Sequence, residues 1–403
     1  MAELWSTVKV TMRILFVAMP DSIHTARWVS QLTGEGWDIY LFPSQNGKLH
    51  SAFHDVSVFA PWLRYPVQNL DNIRCIRWTG VSAFADRVLT MLVRKPSKLF
   101  WKWSLIWIIR LLKPDVVQSL EIQHAGYFTL TVHKYFLNDF PKWVVTNWGS
   151  DIYLFGRFSE HEEKIKSILE QCDYYSAECN RDMELARKKG FKGKALPVFP
   201  NAGGFDLGYL KKLREPGKVS DRRVILLKGY QNWAGRALVG IRALAICADV
   251  LKGYRVAIYS FGLEVEISAR LFEKDTGIPV ELIPQCGHDE LLRWYGCSRV
   301  YIGLSISDAI STSLLEAVVM GAFPIQSNTS CANEWIKDGD SGFIVPAEDP
   351  EAISQAIREA VLNDSLVDTA DELNKKTARE RLDESIIGPQ VVRMYKEILA
   401  DSV

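Results

Sequence analysis

YIGLSISDAISTSLLEAVVMGAFPIQSNT, residues Tyr301–Thr329, reads as a strand, a polar turn, a short helix and a second strand. Tyr301–Ile306 is apolar and β-prone, and Ser307-Asp308 breaks it. Ser311–Met320 has helical spacing, with Leu314, Leu315 and Val318 apolar and Glu316 the one acid among them. Gly321 stands where a C-terminal cap glycine belongs, and Ala322–Gln326 is another buried-strand run. A strand that feeds a serine-rich turn and then a helix N-terminus offers free N–H groups and a positive dipole end to an anion. Ile310, Ser311, Thr312 and Ser313 form that seat. Asp308 and Glu316 lie eight residues apart, one before the helix and one inside it. The set suits a ligand carrying both phosphate and hydroxyl groups.

Outward from this stretch the alternation of strand and helix continues in both directions. Upstream lie strands at Val224–Leu227, Tyr254–Phe261 and Pro279–Pro284, with helices expected over Ala237–Leu251 and His288–Cys297. Downstream lie Gly342–Val345 and helices near Pro350–Leu362, Ser365–Glu380 and Glu384–Ala400. A second series opens the chain: Arg13–Met19, a helix from His24 to Glu35, then Trp37–Pro43, Val116–Glu121, Trp143–Asn147 and Cys172–Glu178. Short apolar strands alternating with helices define an α/β protein with mainly parallel sheets. The charged segment Lys211–Arg223, with Pro216-Gly217, is the best linker. It predicts an N-terminal Rossmann-like domain over 1–210 and a C-terminal one over 211–383, with helix 384–403 packing back on the first. No G-x-G-x-x-G follows the first strand, so a dinucleotide site there is not expected. Ser22 and His24 follow that strand, where open α/β sheets bind ligands; for Ser22 capping of the next helix is the competing role.

The totals fit this picture. At 403 residues the chain is long for one core. Lys+Arg and Asp+Glu are 48 each, and a zero net charge argues against nucleic acid as a partner. The seven cysteines are scattered with no C-x-x-C, which reads as reduced thiols in the cytoplasm. Met1–Thr11 lacks the apolar core of a secretory signal. Residues 94–113 carry six basic residues and no acid, with Phe100, Trp101, Trp103 and Trp107 among them. The helix Leu99–Leu112 is too short to span a bilayer. It is either a buried crossover helix or a helix that rests on a membrane surface, which would place the protein peripherally at the inner face.

Lys228 ends a strand and Arg236 precedes the next helix, so both stand where they can hold a diphosphate together with the 310–313 turn, without metal. Glu316 can accept hydrogen bonds from ribose hydroxyls. Each residue alone is ordinary: a surface cation, a helix acid. In this order they make a set.

The second half of the chain resembles the retaining glycosyltransferases of family 4, which have the GT-B fold. The family's acid–x7–Glu pattern, followed by Ala and Gly-x-Pro, appears as Asp308…Glu316-Ala317…Gly321-Ala-Phe-Pro324. Glu334-Trp-Ile…Gly339…Ser341-Gly342-Phe-Ile-Val345 matches as well, and Pro200-Asn201…Gly204…Asp206 resembles the segment before the C-domain. The resemblance implies two Rossmann-like domains facing across a central cleft. It implies transfer of a sugar from a UDP- or GDP-sugar to a glycan or lipid-linked acceptor hydroxyl, with retention, in surface polysaccharide assembly. It requires no metal cofactor; Asp338-Gly339-Asp340 reads as a turn. Three features depart from the pattern. The leading acid is Asp308 rather than Glu, which bears on the sugar contacted. The cations are Lys228 then Arg236, reversed in type and eight apart. No His follows Thr146 in Asn147-Trp148-Gly149-Ser150-Asp151, so Asn147 and Asp151 are expected on the acceptor side, with His124 one strand earlier as the nearest His. The resemblance thus places Asp308, Lys228 and Arg236 in catalysis, and His124, as the nearest strand-end His, is the candidate for the fourth catalytic residue. A non-catalytic sugar-nucleotide-binding subunit is the alternative of a different class.

Overall fold

The computed structural model describes residues 11–59, 73–76, 98–201 and 203–401. Two compact units emerge: one runs to Gly203 and resumes at Gly388, and the other is Gly204–Ile387.

The first unit contains β1 (Arg13–Ala18), α1 (Ile23–Ser30), β2 (Asp38–Pro43), β3 (Ser57–Phe59), β4 (Arg74–Ile76), α2 (Lys98–Leu112) and β5 (Val116–Leu120). A wide turn, Ile122–Gly126, leads into α3 (Tyr127–His133), β6 (Lys142–Thr146), α4 (Ser159–Gln171), β7 (Tyr174–Ser176), α5 (Asn180–Lys188) and β8 (Lys194–Ala195). Its strands form one parallel sheet in the order β4-β3-β2-β1-β5-β6-β7-β8. The second unit contains α6 (Leu207–Leu213), β9 (Val224–Lys228), α7 (Ala237–Ile246), β10 (Arg255–Tyr259), α8 (Leu263–Thr276), β11 (Val280–Ile283), α9 (His288–Cys297) and β12 (Ser298–Gly303). It continues with α10 (Thr312–Met320), β13 (Phe323–Ser327), β14 (Phe343–Val345), α11 (Pro350–Leu362) and α12 (Asp364–Arg381), and α13 (Glu384–Ala400) leads back to the first unit. Its parallel sheet has the order β11-β10-β9-β12-β13-β14.

The strands read as apolar runs because both faces of each sheet are covered. In β9, Ile225 and Leu227 pack into the core beneath α7 and α11, whereas Val224 and Leu226 face the core beneath α9 and α10. That period of two is the pleat of a strand between two helical layers. In each sheet the strand order reverses once, between β1 and β5 and between β9 and β12. Loops diverge there, opening a crevice at the carboxyl ends of the strands.

The chain changes units at Gly203–Gly204, before the 210/211 boundary expected from sequence. The reason is α6: its apolar residues Leu210 and Leu213 join the core that contains Tyr295, Leu315 and Met320. Nor is Lys211–Arg223 a free linker. Ser220 donates from its amide and hydroxyl to Asp368 at 3.0 and 2.9 Å, and buried Arg222 donates to the Ser298 carbonyl at 3.1 Å. Arg214 also pairs with Asp371 of α12. Helix α1 stops at Ser30 rather than Glu35, where Gly34 and Gly36 take φ of +92° and +76°. From Gly388 on, α13 belongs to the first unit, where Trp28 Nε1 donates to Tyr395 Oη at 2.9 Å and Tyr395 donates to Gln118.

Helix α2 divides into two faces. Leu105, Ile106, Ile108 and Ile109 are buried, and Trp101 packs on Phe42 and Phe128. Trp103, Trp107 and Leu111, spaced four apart, are 49, 45 and 60% exposed. Arg94 and Lys95 lie outside the described residues. Among the described residues no helix is long and apolar enough to cross a membrane.

Candidate functional site

In the second unit β9 ends at Lys228 beside the end of β12, at the reversal of strand order. The loop after β9 folds back on itself: Ala237 N–H bonds the Tyr230 carbonyl at 3.0 Å. A Cβ on Gly235 would collide with the Tyr230 backbone, so only glycine allows this fold. The loop is also stitched to the segment after β12, with Arg236 N–H on Leu304 O at 3.1 Å and Ile306 N–H on Ala234 O at 2.9 Å. The two loops are therefore one platform. Half-buried Lys228 stands on it, its Nζ 4.5 Å from the Tyr230 ring centroid. Among the described residues it has no carboxylate partner.

The platform leads into α10. Ser311 caps this helix in extended conformation, without a side-chain hydrogen bond to it. Leu314 and Leu315 N–H groups turn back to Ser311 O. The Thr312 and Ser313 amides are the open donors of the first turn, where the dipole favours negative charge. Ile310 and Ser311 are buried. Asp308 is partly exposed, and its Oδ1 accepts from the Ala309 N–H at 2.9 Å.

One turn into α10, the Glu316 side chain is 7% exposed, and His288 Nε2 lies 2.7 Å from its Oε1. His288 is the first residue of α9. Tyr259 and Tyr295 hydroxyls are 2.6 Å apart nearby. Burial raises both phenols well above the usual tyrosine range, with the Glu316 charge adding to it, so neither ionises there.

Arg236 is occupied. Its Nε donates to Glu348 Oε1 at 2.8 Å and its Nη1 to Gly235 O at 2.9 Å. The cation expected on phosphate holds its own loop in shape here. Asp338-Gly339-Asp340 forms a turn in which Asp338 Oδ1 accepts from the Ile344 N–H at 2.8 Å and Asp340 pairs with Lys337.

At the strand ends of the first unit the residues expected there make contacts within that unit. Ser22 caps α1, accepting from the Thr25 N–H at 3.4 Å. His24 meets Trp148 edge to face at 5.8 Å. Asn147 is fully buried, donating to Asp182 at 2.9 Å and accepting from Asn201 at 3.1 Å. Asp151 is buried too, and one oxygen accepts from the Ile122 and Trp148 amides at 2.8 and 2.9 Å. Both residues tie the loops together in this way, and Asn147 Oδ1 is buried with no hydrogen-bond partner among the described residues. Burial raises Asp151 well above the usual carboxylate range, and the Glu121 charge adds to the shift.

Glu121 was not singled out from the sequence. It sits at φ 78°, ψ 155°, a region close to glycine-only, and its buried carboxylate caps the wide turn. It accepts from the His124 amide at 2.8 Å, from the Ala125 amide, and pairs with His124 Nδ1 at 3.3 Å. That hydrogen bond raises the His124 pKa above the ordinary imidazole value. The wide turn thus fixes His124, half exposed, at the end of β5.

The family described as glycosyl transferase 4-like matches residues 13–179, and the family described as glycosyl transferases group 1 matches residues 264–380. Sucrose-phosphate synthase from Thermosynechococcus elongatus is similar in structure at TM-score 0.70 and 14% identity, covering 97% of this chain and 100% of its own. A glycosyltransferase from Rickettsia africae gives 0.66 at 16%, covering 96% and 99%. Anabaena HepE in complex with UDP gives 0.65 at 14%, covering 96% and 100%. No curated protein sequence matches the chain. Two parallel α/β units of this topology define a GT-B protein, and the enzyme class is glycosyltransferase. The two family matches and the GT-B neighbours together support a group 1 glycosyltransferase of GT4 type.

Proposed function

We propose that this enzyme takes a glycosyl group from a nucleotide diphosphate sugar, UDP- or GDP-linked, and transfers it with retention to a hydroxyl of a glycan or lipid-linked acceptor, in surface polysaccharide assembly. The observation that carries the donor reading is the Lys228 ammonium. It stands without a carboxylate partner among the described residues, on the platform that leads to the open first turn of α10. A diphosphate accepts from Lys228 and from the Thr312 and Ser313 amides, and Glu316 accepts from the ribose hydroxyls. The HepE structures with UDP and UDP-glucose support this choice of ligand.

In the proposed reaction the bond from the anomeric carbon to the diphosphate breaks as the acceptor oxygen bonds to the same face of that carbon. The acceptor proton passes to a diphosphate oxygen, so the nucleotide diphosphate leaves with it. Lys228 and the α10 dipole stabilise the charge that develops on the leaving group. Asp308 contacts the donor sugar, and no divalent metal takes part. Arg236 joins once Glu348 releases it.

The exposed face of α2 supports peripheral membrane contact. Trp103, Trp107 and Leu111 line one stripe, flanked by Lys102, Arg110 and Lys113, a pattern suited to an anionic headgroup region.

A thermal-shift panel of UDP-, GDP- and ADP-sugars, with and without chelator, tests the donor reading. It predicts a rise with a UDP- or GDP-sugar that chelator leaves unchanged. NMR of the product then tests retention of the anomeric configuration. Polar replacement of Trp103 and Trp107 tests membrane contact: binding to anionic liposomes falls if the stripe is the contact and is unchanged if it is not.

A further inference from the structure

We propose that His288 is a positioning residue for nucleotide recognition: its Nε2–H holds the Glu316 carboxylate in the orientation that accepts both ribose hydroxyls. The inference rests on the reading of Glu316 as the ribose acceptor and adds the residue that makes that acceptor selective.

The argument starts from the cost of the carboxylate. Glu316 lies on α10 with a side chain only 7% exposed, and a buried charge without donors is strongly unfavourable. Among the described residues its one hydrogen-bond partner is His288, at 2.7 Å from Oε1. A carboxylate can only accept, so Nε2 carries the proton in this pair. The distance is that of a charge-assisted hydrogen bond.

The geometry leaves room for a ligand. A carboxylate presents about four lone-pair directions, and the imidazole takes one, so about three remain for two ribose O–H donors. Glutamate is rich in rotamers, and immobilising such a side chain on binding costs conformational freedom. His288 removes that cost beforehand, because its ring is rigid and its backbone is fixed as the first residue of α9. The two helices pack against each other through Leu292 and Leu315 in one core, which sets the spacing of the pair. The Tyr259 and Tyr295 phenols close to Glu316 are kept neutral by burial and supply no counter-charge. The His288 side chain is 41% exposed, so its substitution disturbs little packing.

The consequence is selectivity for the ribose 2′-hydroxyl. The test is calorimetric binding of UDP and 2′-deoxy-UDP, in chelator, to the full-length wild type, His288→Ala, His288→Gln and Glu316→Ala, with circular dichroism melts for folding. The pair GDP and 2′-deoxy-GDP serves in the same way if UDP does not bind.

One hydrogen bond to a charged group corresponds to a preference of about tenfold for the ribonucleotide in the wild type. In Glu316→Ala the preference falls to about onefold. In His288→Ala it falls to about threefold, with 2′-deoxy-UDP, which keeps its 3′-hydroxyl on Glu316, weakened less than UDP, and His288→Gln, which keeps an N–H donor, restores most of it. If His288→Ala weakens both nucleotides equally, or changes neither, His288 does not position Glu316 and the inference is overturned. If the wild type shows no preference, or Glu316→Ala keeps it, the ribose reading itself fails, and the inference with it. Failure of both nucleotide pairs to bind overturns the donor reading.

Discussion

Arg236 Nε donates to Glu348 Oε1 at 2.8 Å, so the second of the two cations expected at the diphosphate is held by an acid from the loop before α11. Glu348 is largely exposed whereas Arg236 is mostly buried, and the guanidinium also serves its own loop carbonyls. A ligand phosphate has to compete with this acid. Glu348→Ala therefore strengthens nucleotide diphosphate binding by about threefold, the scale of an exposed ion pair. Arg236→Ala weakens it and loosens the loop. Calorimetry with UDP or GDP reads both.

Lys228 has no such competitor among the described residues. If it stabilises the leaving diphosphate, Lys228→Met lowers kcat for transfer by about a hundredfold, the usual scale for loss of one such donor. A variant that raises KM while kcat stays constant would assign Lys228 to binding alone.

The pair formed by Glu121 and His124 sets a pH dependence. The hydrogen bond that His124 donates to Glu121 raises the folded-state pKa of His124, so the protonated imidazole is the form the fold favours. Its stabilising contribution is fully present below the unfolded value of about 6.5, and is lost as pH rises through the raised folded value. An NMR titration of the His124 ring finds a midpoint above 6.5 in the wild type and a lower one in Glu121→Gln. An unshifted midpoint contradicts the pairing.

Tyr395 is the join between the terminal helix and the sheet of the first unit. It accepts from Trp28 and donates to Gln118 while fully buried. Tyr395→Phe leaves two buried polar groups unsatisfied and costs about 2–4 kcal/mol. Urea unfolding followed by tryptophan fluorescence measures the loss.

Much of this fold was legible because parallel strands covered on both faces carry their own signal. The runs RILFVA and VILLK could be read without knowing their neighbours. Helix α4 was not legible: Ile165, Ile168 and Leu169 are its only buried residues in a polar segment. At the candidate site, the positions of Lys228, Ser311–Ser313 and Glu316 in the fold could be read because strand ends and helix starts locate them. The partners His288 and Glu348 could not, since they meet Glu316 and Arg236 only through packing of distant elements, 28 and 112 residues away. The burial of Asn147 and Asp151 was not legible either, since it comes with hydrogen bonds to Asp182, Asn201 and Ile122 on other segments and to Trp148.

The central claim is that the Lys228–Glu316 end of the second unit holds the nucleotide diphosphate of the donor. Calorimetry of UDP and GDP binding to the wild type, Lys228→Met and Glu316→Ala, in the presence of chelator, tests it most directly. The account predicts that one of the two nucleotides binds the wild type and binds each variant at least about tenfold more weakly, the loss of one charged hydrogen bond. Equal affinity in all three proteins would contradict it.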